Sequence, residues 1–281
     1  MLTADLIWIR VNWSMLLDTH CHLDAVEFDP DRQQVIERAQ TAGVKGILIP
    51  AVEVLNFDTV RSLAHGFPQG AYALGIHPMY VANAGETALT QLRNALNQHI
   101  SDPRLIAVGE IGLDFFIPEI STGVPREKQI RYFEAQLQIA REFNLPVLLH
   151  VRRSQDEILK YLRRIKVRGG IAHAFNGSFQ QAQQYIDLGF ALGMGGAMTY
   201  TRALQIRRLA KEFSLDHLVL ETDSPDIAPE WLTQTRRNEP AEIKGIAEVM
   251  ANIRDISFNE LIKQTGEAAM RVCPRWQKLL A

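Results

Sequence analysis

The amino-acid sequence predicts a single (β/α)8 barrel, and three observations predict it. Eight short β-branched runs alternate with longer amphipathic stretches along 281 residues. No internal repeat, Pro-rich segment or low-complexity tract marks a second domain. Candidate ligands stand at the carboxyl ends of runs scattered through the chain, and a barrel gathers those ends at one mouth. A doubly wound open sheet, the alternative that periodicity alone allows, would set the same ends in a row.

The strand-like runs cover residues 15–19, 44–50, 71–76, 105–108, 147–150, 170–173, 190–194 and 218–222. Between them, stretches such as 31–42, 126–143, 156–165 and 201–213 repeat apolar residues at three- and four-residue intervals, the helical period. Gly43, Asn144 and Gly189 close several of these stretches, as helix C-termini commonly end. A helix over 242–253 follows the eighth strand, and 259–271 adds a terminal one. The barrel domain is thus expected over 15–281, after an extension at 1–14. Residues 6–13 are too short to span a bilayer, are interrupted by Arg10 and Asn12, and precede no small-residue cleavage site. The extension reads as an extra edge strand or an artefact of start-codon choice.

Composition narrows the function classes. Apolar residues make up 47% and charged residues 22%, the balance of an ordinary globular protein. A formal charge of −2 gives no global attraction to nucleic acid, so a polyanion must be held by a local patch or by bound cations. The two cysteines, Cys21 and Cys273, form no Cys-x-x-Cys pattern, which points to a reducing cytoplasm. Nothing in the sequence points to a membrane or to an obligate protein partner.

The chemistry begins at Leu17-Asp18-Thr19-His20-Cys21-His22-Leu23-Asp24. In extended backbone alternate side chains share a face, so His20 and His22 aim at one point while Cys21 faces the opposite way. Glu110 ends an apolar run in Val108-Gly109-Glu110, where a carboxylate faces desolvation unless a cation compensates it. Asp114 follows at a loop position suited to holding a neighbouring group. His150 and His173 repeat one pattern, apolar strand then imidazole. Asp223 completes the set, with Glu221 on its strand face as a supporting partner. Four imidazole nitrogens and two carboxylates suffice for two divalent cations, of Zn, Mn or Mg type. Such a pair generates a nucleophilic hydroxide and holds the oxygens of an ester, with Asp223 as the proton acceptor.

These strings, with Arg237-Asn238-Glu239-Pro240 downstream, resemble the TatD family of metal-dependent deoxyribonucleases in the amidohydrolase superfamily. The resemblance runs from Leu17 to about Arg271. It implies a (β/α)8 barrel, two divalent metals and hydrolysis of DNA phosphodiesters, with single strands or 3′ ends as the substrate. It also implies that His20 and His22 bind one metal, Glu110 bridges, His150 and His173 bind the other, and Asp223 returns to the first. One departure stands out: Gly75-Ile76-His77-Pro78 is followed by Met79, where family members often carry a second histidine. A thioether cannot donate to a phosphate. His77 is expected on the substrate side, as are Arg152, two residues past His150, and Arg237, which with Arg236 lies in the loop after the eighth strand. For the Arg236–Arg237 pair, phosphate contact and loop anchoring are both open. The cluster from Arg163 to Arg168 ends a helix, where positive charge suits the dipole, and reads as a solvated face.

Two other functions fit the same residues. A small-molecule or aminoacyl ester or amide hydrolase could use the identical metal pair, because fold does not fix substrate. A nucleic-acid-binding protein without catalysis is the third.

Overall fold

A computed structural model describes residues 14–232 and 237–280, so the 1–14 extension, Ser14 apart, lies outside the described residues. Eight strands run in chain order: β1 (Leu16–Asp18), β2 (Val44–Pro50), β3 (Ala71–Leu74), β4 (Leu105–Asp114), β5 (Val147–Arg152), β6 (Gly170–Ala172), β7 (Phe190–Met194) and β8 (Leu218–Leu220). Each pairs in parallel with the next, in the order β1 to β8. The ring is brought together where Thr19 N–H donates to the Leu220 carbonyl at 3.0 Å and Asp223 N–H to the His20 carbonyl at 2.8 Å. This is the (β/α)8 barrel the sequence predicts.

The helices are α1 (Arg32–Thr41), α2 (Phe57–Gly66), α3 (Pro78–Val81), α4 (Ala88–His99), α5 (Gly123–Glu142), α6 (Gln155–Arg164), α7 (Phe179–Asp187), α8 (Leu204–Glu212), α9 (Ile243–Arg254), α10 (Phe258–Val272) and α11 (Pro274–Leu280). None of them is long and apolar enough to cross a membrane. Cys21 and Cys273 are both free and buried.

Strand alternation divides the core in two. Ile47 and Ile49 pack outward among helix residues, whereas Leu48 between them joins Leu17, Ile106, Leu148, Ile171 and Val219 inside the barrel. Trp276 of α11 belongs to this inner cluster and donates its indole N–H to the Gln69 carbonyl at 3.1 Å, closing the amino-terminal end. Each buried aliphatic side chain of this layer contributes about 1.5–3 kcal/mol.

The inner face also dictates where the polar residues stand. Two positions beyond Leu148, Ile171 and Val219 come His150, His173 and Glu221, so the same alternation that fills the core aims these groups into the mouth. Strand β4 departs from expectation, running on to Asp114 rather than stopping at Val108. Its pairing with β5 skips from Val108–Val147 to Ile111–Leu149, a bulge that leaves Gly109 and Glu110 out of the ladder. The strand resumes because Ile111 and Leu113 are both buried against β5, and Gly112 permits it: at φ 155° it lies against the His150 carbonyl, where a Cβ would collide.

Candidate metal centre

The bulge in β4 aims Glu110 into the barrel mouth, where it is 1% exposed. Its two oxygens face different groups. Oε2 lies 3.1 Å from His20 Nε2 and 3.4 Å from His22 Nε2. Oε1 lies 3.0 Å from His150 Nδ1, 3.0 Å from His173 Nε2 and 3.4 Å from His77 Nε2. Asp223 approaches the first group, its Oδ1 being 3.7 Å from His20 Nε2 and 3.6 Å from His22 Nε2. All six expected ligands therefore meet in one place, and His77 meets them there.

The backbone that presents Asp223 is unusual. Its φ is 53°, a left-handed conformation that costs a residue with a side chain, and the bond from its N–H to the His20 carbonyl holds it. Ala174, directly after His173, has φ 45° and turns its N–H onto Glu221 Oε1. The same oxygen lies 3.8 Å from His173 Nδ1. Glu221 fits only because Gly193 on β7 has no side chain, since a Cβ there would strike the carboxylate.

Electrostatics pull the members apart. Burial pushes His20 down to about 3 and His77 down to about 4, so both imidazoles are neutral. Burial would raise Glu110, yet the surrounding imidazoles, His77 and His173 foremost, hold it well below the usual carboxylate range. Burial would lower His22, His173 and His150 as well, yet the carboxylates beside them raise His22 to about 9, His173 to about 10 and His150 above its usual value, so the ionised Glu110 gathers positive charge about itself in the place a cation would take.

The donor set passes a geometric test for divalent ions. Ligands held at 2.0–2.2 Å from one ion stand no more than about 4.4 Å apart. His20, His22 and Glu110 form one group with ligand atoms mutually within 4.8 Å, as do His20, His173 and Asp223, and His77, Glu110 and His150. The distances from Glu110 to its neighbours, 3.0–3.4 Å, fall inside the tighter limit.

Several supporting residues escaped the sequence reading. Asp18 is wholly buried and accepts from the Thr222 hydroxyl at 2.6 Å, the Thr222 N–H at 3.0 Å and the His20 N–H at 3.2 Å, tying β1 to the segment after β8 beside the cluster. Burial pushes its carboxyl up to about 7. Asn238, also fully buried, donates to the carbonyls of Thr222 and Asp226 and pins the loop after β8. Asn238 follows no apolar run, so the pattern that marks the cluster passes over it; Asp18 does end the run Leu16-Leu17, and only its contacts with the distant Thr222 distinguish it as a support.

The expected substrate residues divide. The Arg152 side chain is 47% exposed at the rim, 3.7 Å from Asp114 Oδ2. Arg237 instead donates to both oxygens of Asp31 at 2.7 and 2.8 Å, the geometry of a loop anchor. Arg236 lies outside the described residues. Between the loops after β7 and β8 lies a depression of about 740 Å³, bordered by Tyr200, Arg202 and Asp226.

Comparison with known proteins resolves the family. The sequence profile described as TatD related DNase matches residues 17–274. The chain belongs to the TatD-related DNase family. It is 38% identical over 259 residues to an uncharacterized metal-dependent hydrolase of Haemophilus influenzae, covering 91% of this chain and 98% of that one. It is 31% identical over 271 residues to human deoxyribonuclease TATDN3, covering 94% of this chain and 97% of that one. Among solved structures, the TatD homologue YjjV of Escherichia coli superposes with a TM-score of 0.86 at 34% identity, covering 94% of this chain and 99% of that one. The TatD fold in this chain thus carries a His/Glu/Asp cluster able to bind metal.

Proposed function

We propose that this TatD-family metal-dependent hydrolase cleaves phosphodiester bonds of DNA, using two divalent cations. The observation that carries the reading is the division of Glu110, with one oxygen toward His20 and His22 and the other toward His150, His173 and His77. One carboxylate serving two histidine groups is the arrangement a bridging ligand requires. Asp223 joins the first group, and His77 is a further candidate beside the second. Divalent cations, when bound, supply an acidified water and neutralise phosphate charge; Zn, Mn and Mg all suit this mixed donor set.

The chain's own residues supply the rest. Asp223 is the proton acceptor, because its side chain is 12% exposed and reaches solvent whereas the Glu110 carboxylate is only 1% exposed. Asp114 and Glu221 orient His150 and His173 from behind. Arg152 meets substrate phosphate from the rim, a task for which guanidinium geometry is suited. Arg237 acts through the loop it anchors. DNA as the substrate class is supported by the family description and by the name of the human relative. The buried free thiols support a reducing cytoplasm.

The test is to assay metal-loaded protein on single-stranded oligonucleotides beside a panel of small esters and amides. Oligonucleotide cleavage is expected. Ester turnover with no cleavage of DNA would replace this reading with a small-molecule hydrolase, and retention of oligonucleotide without any product would point to binding alone.

A further inference from the structure

An aromatic and cationic cluster sits on the rim beside His150. Phe116, in the loop after β4, is 41% exposed. Two guanidinium groups lie over its ring, that of Arg152 at 3.9 Å and that of Arg153 at 4.5 Å from the centroid. Consecutive side chains on a strand point to opposite faces. Arg153 breaks that alternation with a left-handed φ of 54°, and both arginines reach one ring. Next to them Arg126 covers Phe115 at 4.3 Å.

The cluster is locked to the metal centre by one carboxylate. Asp114 Oδ1 accepts from the N–H groups of Phe116 at 2.8 Å and Ile117 at 3.1 Å, while Oδ2 lies 3.2 Å from His150 Nε2. Ser154 adds a second tie, donating from its hydroxyl to the Leu113 carbonyl at 2.6 Å. The position of the Phe116 ring relative to the reacting centre is therefore built in.

Its surroundings fit a polymer. The large exposed apolar side chains of the described residues, from Val26 to Trp231, all lie between a strand's carboxyl end and the first turn of the following helix. That is the face carrying the histidines, and apolar surface concentrated there marks a contact surface. The net charge of −2 provides no general pull on a polyanion, so local cations must meet the phosphates.

We infer that Phe116, Arg152 and Arg153 form a nucleobase-stacking subsite for single-stranded DNA. The flat guanidinium–phenyl assembly takes an unpaired base on its planar surface, and the outward N–H groups take the adjoining phosphate. A base within a duplex has no free face to offer, which makes single strands the ligand. This inference deepens the nuclease reading and rests on it.

The test measures binding of a short fluorescein-labelled oligo(dT), joined by slowly hydrolysed phosphorothioate linkages, to metal-loaded protein by fluorescence anisotropy. Phe116→Ala is expected to weaken binding about ten-fold, the usual consequence of losing one base–aromatic stack. Phe116→Trp is expected to restore affinity, with its indole fluorescence quenched by the bound strand. Arg153→Ala is expected to weaken binding and to flatten its salt dependence by about one charge. If Phe116→Ala unfolds, Phe116→Leu carries the same test, since it keeps apolar bulk and removes the planar face. Undiminished affinity in folded Phe116→Ala or Phe116→Leu, with wild type cutting natural oligonucleotides, overturns the subsite and leaves the nuclease reading standing. Wild type that neither binds nor cuts DNA yet hydrolyses small esters overturns both.

Discussion

His150 is held between two carboxylates: its Nε2 lies 3.2 Å from Asp114 Oδ2, and its Nδ1 lies 3.0 Å from Glu110 Oε1. A neutral imidazole carries one proton, so if Nε2–H donates to Asp114 then Nδ1 is left as a lone pair facing the site. Asp114→Asn keeps a carbonyl for the Phe116 loop but turns an amide toward His150, which favours the opposite tautomer. Metal affinity is expected to fall about 10–100-fold, with hydrolysis falling alongside it. Competition against a chromophoric chelator measures this, and wild-type affinity in the variant would refute the tautomer argument.

Removal of the donors themselves has a different signature. Asp223→Ala and Glu110→Ala are expected to abolish hydrolysis with circular dichroism unchanged, because each takes away a contact at the mouth and leaves the inner layer of Leu48, Leu148 and Val219 intact. Dialysis of the wild type against a chelator is expected to do the same and to lower Tm, since an ion that binds only the folded state stabilises it. Adding back single metals then ranks them by recovered activity. Asp223→Ala that retained near-wild-type turnover would sink the proposed role of that residue.

The contrast between ligands and supports explains what could be read from the sequence. His150 and His173 were legible because a two-residue strand period carries an apolar core position directly to a mouth position, and His20 and His22 share a face by the same rule. Eight strands and their order follow from that period as well. Asp18 was hidden because its long-range partner, Thr222, meets it only when β1 and β8 come together. The continuation of β4 was hidden for a related reason: a bulge at Gly109 and Glu110 interrupts the alternation, and pairing with β5 restores it. Arg237 carried two readings in the sequence, and its geometry became visible only with Asp31 of the segment before α1 opposite it.

Gly193 and Glu221 test how tightly the mouth is packed. A methyl group on Gly193 would strike the Glu221 carboxylate, which accepts from the Ala174 N–H beside His173. Gly193→Ala is therefore expected to push Glu221 away, release that N–H and shift His173. Overpacking of this kind costs about 1–3 kcal/mol, and a lowered Tm should accompany weaker metal binding. Wild-type metal affinity in a variant with lowered Tm would show that Glu221 supports the fold and not His173.

Asp31 provides a pH signature away from the ligands. Hydrogen bonds from Arg237, then from Arg38, hold its carboxyl well below the usual carboxylate range. Arg38 also grips Glu239 at 2.7 Å, so this network fastens the helix α1 side of the barrel to the segment carrying Asn238. A carboxylate whose folded pKa is depressed stabilises the protein above its unfolded value, near 3.9, and that contribution disappears as pH falls through the lower folded value. Asp31→Asn should thus lower Tm at neutral pH, and the gap to wild type should close in strong acid. Because the side chains are partly exposed, added salt should narrow the neutral-pH gap too. A gap that stayed constant from neutrality into strong acid would mean that Asp31 contributes by packing and not by charge, and Arg237 would then be free to turn toward a phosphate.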